Sequence, residues 1–540
     1  MLQEIRRRKQ GEFFTPTIWV DKAHEYISSV FGEDWKDKYV VWDPAWGTGN
    51  LTRDYKFKEL YVSTLNQSDI DTANQMGYNS EAVKFQFDFL NDPDEKLPES
   101  LRKVIDEGRE IIVLMNPPYA TDANYIGENK NEASNTNINK NMVIENWGKS
   151  AQNLYTQFLY RITKINIKNK NIKIGIFCPS LFLTGTSFKE FRKKFLIEFG
   201  FEKGFLFEAK HFNNVSKNWG INFICFSNII NNNKITLDVY DCNKNFELVR
   251  ITEKELYHLD NKITASEWVR TEVKNVKTHN DITFKSCLEI YRGSDVRGRN
   301  INNSLGYLFI GGNNINTNPT NVSLYSKPYY NANGLSLIPE NFKKCVSLFT
   351  ARKVINKNWI NSKDEYLAPY VESNNYLQYT YDSIIYSLFH IHSFQSSLRQ
   401  ITYKDKLWDI KNEFFWMSKE EMLELSNKNN YSDLYNDART DSDRHVYKLL
   451  FGEERIYDKL SPDAKLVLDK ATELVIKSMQ MREIFANDEN HLKSWDAGYA
   501  QLKLLWKQYY VDEFKEFRKL YKNLEDRMRP LVYELGFLMK

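Results

Sequence analysis

The run Ile111-Ile-Val-Leu-Met115, closed by Asn116-Pro117-Pro118-Tyr119, constrains the fold more than any other feature of this 540-residue chain. Five apolar residues in a row, without alternation, are too few for a helix and suit a strand buried on both faces. Two prolines then stop either a helix or a ladder from continuing. Short apolar runs separated by amphipathic stretches recur from about Asp21 to Asn228, which predicts βα repeats around a parallel-rich sheet. Strands are expected at Tyr39–Asp43, Leu60–Leu65, Val83–Phe87, Ile111–Met115, Ile172–Cys178, Lys203–Phe207 and Phe223–Ser227, with a helix around Asn153–Ile165.

The remainder is organised differently. Thr121–Ser150 is rich in Asn, Lys and Glu and reads as a long loop; it is either a lid that closes over a bound substrate or an insertion without a role. A break near Asp260–Asn280 separates a second region, and Ile282–Tyr403, with its Gly311-Gly312-Asn313-Asn314 turn cluster, reads as mixed with much strand. After that the pattern is helical. Ser418-Lys-Glu-Glu421 is a capping box, Ser461-Pro462-Asp463 opens a helix to about Phe485, and another is expected from about Leu492 to near Pro530. The expected parts are 1–255, 256–405 and 406–540.

Composition excludes more than it selects. The 42% hydrophobic and 27% charged residues are the balance of a globular protein. With 74 basic and 71 acidic residues the net charge is +3, so any nucleic-acid surface must be a local cleft. Five cysteines, without a Cys-x-x-Cys pair, argue against structural zinc and a disulfide framework; no metal is expected. No segment has the length of a membrane span, and the basic N-terminus lacks the apolar core of a secretory signal. A reducing cytoplasm is the expected setting.

The chemistry sits at the strand ends. In open α/β sheets ligands bind outside the carboxyl ends of strands, which is where Asn116–Tyr119 falls. An amide oxygen and a rigidly presented backbone carbonyl there can each accept a hydrogen bond from an exocyclic amino group, and Tyr119 can stack on the ring bearing it. Directly after the first strand, Asp43-Pro44-Ala45-Trp46-Gly47-Thr48-Gly49 gives a turn that lets backbone approach a nucleoside closely. Its spacing is neither the dinucleotide fingerprint nor a phosphate loop. Asp43 ahead of the glycines favours a cationic ligand. Upstream, Gly11-Glu12-Phe13-Phe14-Thr15-Pro16 precedes a helix start, where backbone N–H groups and the Thr15 hydroxyl can hold a carboxylate. Asp69 follows the second strand, where an acid can bind ribose hydroxyls, while Asp71 reads as a helix N-cap. Asp88 after the third strand can accept from an adenine amino group, with Phe89 facing the ring.

Taken together, Gly11–Pro16, Asp43–Leu51, Asp88-Phe89 and Asn116–Tyr119, in that order, resemble the DNA adenine-N6 methyltransferases of bacterial restriction–modification systems, in the gamma-type motif order. The resemblance covers about residues 1–230. It implies a Rossmann-like S-adenosylmethionine-dependent methyltransferase domain, followed by a mixed α/β target-recognition domain and a helical C-terminal region. It further implies that Phe13, Phe14, Thr15 and Pro16 touch the methionine end of S-adenosylmethionine. Asp43, Pro44, Gly47 and Gly49 would meet its methionine and backbone face, Asp69 its ribose, and Asp88 with Phe89 its adenine; S-adenosylhomocysteine would be the product. Asn116, Pro117 and Tyr119 would hold an adenine everted from double-stranded DNA, with Tyr119 and Phe212 stacking on it, and Asn116 would also border the cofactor. One departure concerns the ribose: Leu65-Asn66-Gln67-Ser68-Asp69 leaves the register open, so that Asn66 or Gln67 can take the role of Asp69.

Arg292, Arg297 and Arg299, and a second group of Arg352, Lys353 and Lys357 beside Trp359, are basic residues suited to phosphates or guanine edges. Asn-Pro-Pro-Tyr also serves enzymes that methylate protein glutamine, RNA guanine N2 or cytosine N4. The glutamine enzymes lack a large appended region, and the cytosine enzymes usually carry Ser in place of Asn116. An RNA methyltransferase is the remaining catalytic alternative, and a DNA-binding modification or specificity subunit that needs a partner is the non-catalytic one. A separate restriction endonuclease is a possible partner. A fused nuclease is not expected, since Ser461-Pro-Asp463 with Asp469-Lys470 has the wrong spacing for its metal-binding cluster and lies on an expected helix.

Overall fold

The computed structural model describes residues 15–539 except 120–134, 213–217, 231–234, 244, 246, 257–261, 273–278, 283–296, 301–303, 316–320, 327–333, 396–399, 404, 410–411, 429–442, 482–483 and 485–497. The chain forms two compact units. The first comprises residues 1–261 with 357–365, and the second 262–356 with 366–539.

In the first unit nine strands make one sheet: β1 (Val40–Asp43), β2 (Leu60–Thr64), β3 (Val83–Gln86), β4 (Ile111–Met115), β5 (Ile172–Pro179), β6 (Gly200–Glu208), β7 (Gly220–Ser227), β8 (Ile235–Cys242) and β9 (Leu248–Leu256). Their order is β3-β2-β1-β4-β5-β7-β6-β8-β9. The first five are parallel, and β7 runs antiparallel between β5 and β6. This is the Rossmann-like α/β arrangement. The uninterrupted apolar run of β4 has its reason in the two layers that cover it. Ile112 and Leu114 join Trp19, Val20 and Ile27 of the helix Thr17–Phe31 on one face. Ile111, Val113 and Met115 join Leu101 of Glu99–Asp106 and Leu159 of Leu154–Lys168 on the other. After β1 the chain builds β2 and β3 outward on one side, then returns to lay β4 against β1. In open α/β sheets such a reversal is where ligands bind, here outside the carboxyl ends of β1 and β4.

The polar stretch 121–150 is not all loop. Residues 120–134 lie outside the described part, but Asn137–Ile144 is a helix capped by Thr136, and Gly148–Gln152 is a 3-10 turn. Ile138, Met142 and Trp147, buried in the apolar core, supply the burial that a reading of average polarity overlooks.

The second unit holds a four-stranded sheet in the order Gly334–Leu337, Gly306–Ile310, Val322–Tyr325, Ser393–Phe394. Strand was expected through this region, yet Pro339–Val354 and Asn374–Leu388 are helices of 16 and 15 residues. Pro339 at the first helical position is the start signal. The C-terminal region is helical, as expected. Ser418 and Glu421 exchange both bonds of the capping box, and Ser461 Oγ accepts from Ala464 N at the head of Pro462–Ser478. The last helix is two: Tyr499–Tyr509 and Val511–Glu534, with Pro530 inside the second. The break is Tyr510, non-helical at φ −132° and ψ 53°, whose hydroxyl donates to the Lys477 carbonyl at 2.7 Å. Leu492 lies outside the described residues.

Candidate active site at the switch point of the sheet

Asp43 ends β1 and Asn116 follows β4, two neighbouring parallel strands, so both lie at the same edge of the sheet. The intervening turn is tight. Gly47 and Gly49 take φ of +52° and +79°, conformations that an L side chain adopts only with strain. A Cβ on Gly47 would meet nothing within 4 Å, so its backbone borders open space, whereas one on Gly49 would press on the Trp46 ring at 3.0 Å.

Asp43 is 1% exposed. Its Oδ1 accepts from Ala45 N at 3.0 Å, while Oδ2 is buried and has no hydrogen-bond partner. Burial pushes its carboxyl up to about 8, and the one backbone bond only partly opposes this. A cation brought to Oδ2 would supply the missing partner.

Asn116 is fixed from two sides. Its Nδ2 donates to Thr15 Oγ1 at 2.8 Å, and its Oδ1 accepts from Tyr119 Oη at 2.6 Å. Burial holds the Tyr119 hydroxyl well above its ordinary range, and it stays a donor. Thr15, itself buried, ties the turn to the tetrapeptide, because its carbonyl accepts from Asn50 Nδ2 at 3.1 Å. Thr15, Asp43, Gly47, Gly49, Asn116 and Tyr119 are thus assembled by direct contact or by adjoining strand ends. Pro16 is the N-cap residue of Thr17–Phe31. Phe13 and Phe14 lie outside the described residues.

The remaining expected residues are engaged as follows. Asp88 Oδ1 accepts from Leu90 N and Asn91 N, and its Oδ2 from Asn91 Nδ2, which makes it the anchor of a turn. Phe89 faces the core: it is 3% exposed and stacked on Phe158 at 4.7 Å. Asp69 Oδ2 accepts from Thr64 Oγ1 at 2.8 Å. The N-cap position of Gln67–Gln75 falls to Asn66, so Asp71 sits inside the helix, where it accepts from Gln67 Nε2. Phe212 is 1% exposed and lies tilted against Phe177 and Phe207, so its ring belongs to the core. Residues 213–217 beyond it are not described.

Among the described residues, Trp219 meets the tetrapeptide, edge-on to Tyr119 at 6.3 Å and 86°. Because β7 is antiparallel, its first residues lie at the same sheet edge as the last residues of β5, as the Pro179–Ile221 pairing shows. An aromatic immediately before an antiparallel strand is the signal that could have found it.

The basic groups separate. Arg297 and Arg299 lie in a strand, Arg297–Asn300, paired with His279–Ile282, and Arg292 is outside the described residues. Arg352 donates to the Gly312 and Asn314 carbonyls over the Tyr366 ring, and Lys353 Nζ is 2.8 Å from His392 Nδ1. Both are engaged inside the second unit. Lys357 and Trp359 belong to the first.

No protein-family model matches the chain, and no curated protein is similar to it. Among solved structures, the DrdV–DNA complex is similar over 43% of this chain and 28% of that one, at 17% identity and a TM-score of 0.32. The ATP-dependent Type ISP restriction–modification enzyme LlaBIII bound to DNA is similar over 50% and 25%, at 13% identity and 0.30. A Listeria monocytogenes protein provisionally described as a class I S-adenosylmethionine-dependent methyltransferase is similar over 41% and 62%, at 13% identity and 0.28. The chain spans less than two thirds of each of these three. Likenesses this loose fix neither family nor activity.

Proposed function

We propose that the chain is an S-adenosylmethionine-dependent methyltransferase acting on the N6 amino group of adenine in a specific double-stranded DNA sequence. One observation carries the reading: the Asn116 amide is locked by Thr15 and Tyr119 at the strand switch point, beside a glycine turn and a buried carboxylate in need of a cation. The residues present fit the cofactor, since Asp43 Oδ2 is an orphaned acceptor and Gly47 borders open space. Thr15, Pro16, Asp43, Pro44, Gly47 and Gly49 would hold it, with Phe13 and Phe14 completing the methionine end. Asp69 or Asn66 would meet its ribose, and Asp88 its adenine edge. When bound, S-adenosylmethionine supplies an electrophilic methyl group and leaves as S-adenosylhomocysteine.

The chain's own residues prepare the acceptor. Asn116 Oδ1, oriented because Thr15 takes the amide nitrogen, accepts one N–H of the target amine, and the Pro117 carbonyl accepts the other. The two bonds place the nitrogen and pull on both N–H bonds so that conjugation with the ring weakens, which frees the lone pair for attack on the methyl group. The methylated nitrogen then sheds one of its two protons to solvent. Tyr119 offers a ring face and keeps Asn116 in place. An adenine inside a duplex cannot reach a pocket recessed at a strand end, so the nucleotide swings out first. Residues 256–405 would serve target recognition and 406–540 would brace it, with a restriction endonuclease or specificity subunit as a possible partner.

The test is transfer of a labelled methyl group to duplex DNA, to RNA and to protein by the purified chain, with Asn116→Ala alongside. The reading expects label in N6-methyladenine of duplex DNA and a loss of about 10²- to 10³-fold in the variant. Label in RNA alone, or full activity of the variant, contradicts it.

A further inference from the structure

The segment Lys357–Glu365 is part of the first unit although the chain on either side belongs to the second. It is fastened there by three independent contacts. Lys254 Nζ and Asp364 Oδ2 form a buried ion pair at 2.6 Å, Thr184 Oγ1 donates to the Lys363 carbonyl at 3.0 Å, and Thr186 N donates to Glu365 Oε1 at 3.1 Å. Trp359 and Ile360 pack on the apolar core beside them. Removal of one partner from a buried ion pair strands the other charge, so the segment is pinned rather than laid on the surface.

What the fastening presents is a cation. Lys363 Nζ sits 5.8 Å from the centroid of the Trp219 ring, and that ring is edge-on to Tyr119 at 6.3 Å. Among the described residues, no carboxylate lies within ion-pairing distance of Lys363 or of Lys357. Burial first, and the charge of Lys357 second, lower the pKa of Lys363. Two like charges, one of them half-buried on an aromatic face and without a counter-ion, are costly until an anion joins them. The pair stands one aromatic ring away from the proposed target-base position, at the sheet edge by which a nucleotide would enter.

We propose that Lys363, supported by Lys357, holds the backbone phosphate next to the everted nucleotide, with Trp219 as the apolar wall between phosphate and base. The inference rests on the DNA methyltransferase reading and deepens it. A lysine there contributes charge without base specificity, so it positions the strand and does not read sequence.

The experiment uses the full chain with S-adenosylhomocysteine and a fluorescein-labelled duplex, and follows binding as salt is raised. The parent, Lys363→Ala and Lys363→Arg are compared, and S-adenosylhomocysteine affinity reports that each variant is folded. One lost phosphate contact lowers the slope of log K against log salt by about 0.9. The inference expects that drop in Lys363→Ala, a parental slope in Lys363→Arg, and unchanged S-adenosylhomocysteine affinity in both. A parental slope in Lys363→Ala overturns the clamp and leaves the methyltransferase reading standing. A parent that binds the cofactor product but no duplex overturns both. Reduced S-adenosylhomocysteine affinity in Lys363→Ala, with the slope unchanged, assigns the lysine to the cofactor and overturns the clamp as well.

Discussion

Each unit buries a carboxylate at the centre of its architecture, and the two differ in what satisfies it. Asp382, fully buried in the second unit, accepts from Ser461 N at 3.0 Å and from Gln378 Nε2 at 3.1 Å, with Arg527 Nε at 3.9 Å. It joins the helix Asn374–Leu388 to the cap of Pro462–Ser478, so its partners are the protein's own. Asp43 in the first unit has one backbone donor and an unpartnered oxygen at a strand end. The contrast teaches how to tell a structural acid from a binding one. Both leave Oδ2 without a hydrogen bond, but the first has a guanidinium of the chain 3.9 Å from that oxygen, whereas among the described residues the second has no cation of its own and stays open to one that arrives.

The largest effect that would break this contrast concerns stability. Asp382→Ala should cost the second unit about 3 kcal/mol, since it strands a buried donor and a helix start. Denaturant unfolding checks this, and S-adenosylhomocysteine affinity should stay near the parental value. Asp43→Asn should do the reverse, with stability near pH 7 at or above the parental value and roughly tenfold weaker binding of S-adenosylhomocysteine, the loss of one charge-assisted bond.

The same carboxyl gives a pH signature. Its folded value of about 8 exceeds the ordinary carboxylate value, so the folded chain binds the extra proton. The stability from this group is therefore complete below about pH 4 and is lost as pH rises toward 8. A cationic ligand ionises the group, so binding near pH 7 should release about one proton from Asp43. Titration calorimetry in buffers of different ionisation enthalpy would register that proton in the parent and not in Asp43→Asn. Equal proton release from both would place the cation elsewhere.

Smaller effects sharpen the account of the site. Thr15→Val removes the acceptor that orients the Asn116 amide and should lower kcat about tenfold, with KM for DNA little changed. Thr15→Ser should restore it. Phe212→Leu should cost at most about 1.5 kcal/mol of stability and leave methyl transfer close to the parental rate. A hundredfold loss of activity in a stable Phe212→Leu protein would return that ring to the target base.

The first unit was legible in the sequence because its signals are local. All seven expected strands are present, with ends shifted by up to three residues, and the segment Ile111–Met115 has the expected ends. A parallel strand buried on both faces is a contiguous apolar run, and its carboxyl end marks the site. The missed features depend on distant partners. Phe89 and Phe212 have the right residue type and strand-end position, but only the packing of Phe158, Phe177 and Phe207 turns their rings inward. Trp219 matters because β7 runs antiparallel, and Lys363 because a segment some 140 residues later in the chain folds against it. The second unit was harder for the same reason. Its helices Pro339–Val354 and Asn374–Leu388 carry Ser, Thr, Asn and Tyr at buried positions, which blurs the apolar stripe.

The central claim is tested most directly by sequencing with base-modification detection, applied to DNA from cells that express the parent and from cells that express Asn116→Ala. The account predicts N6-methyladenine at one recurrent sequence with the parent and none there with the variant. Methylation of that sequence by Asn116→Ala at the parental level, or modification of cytosine instead, would contradict it.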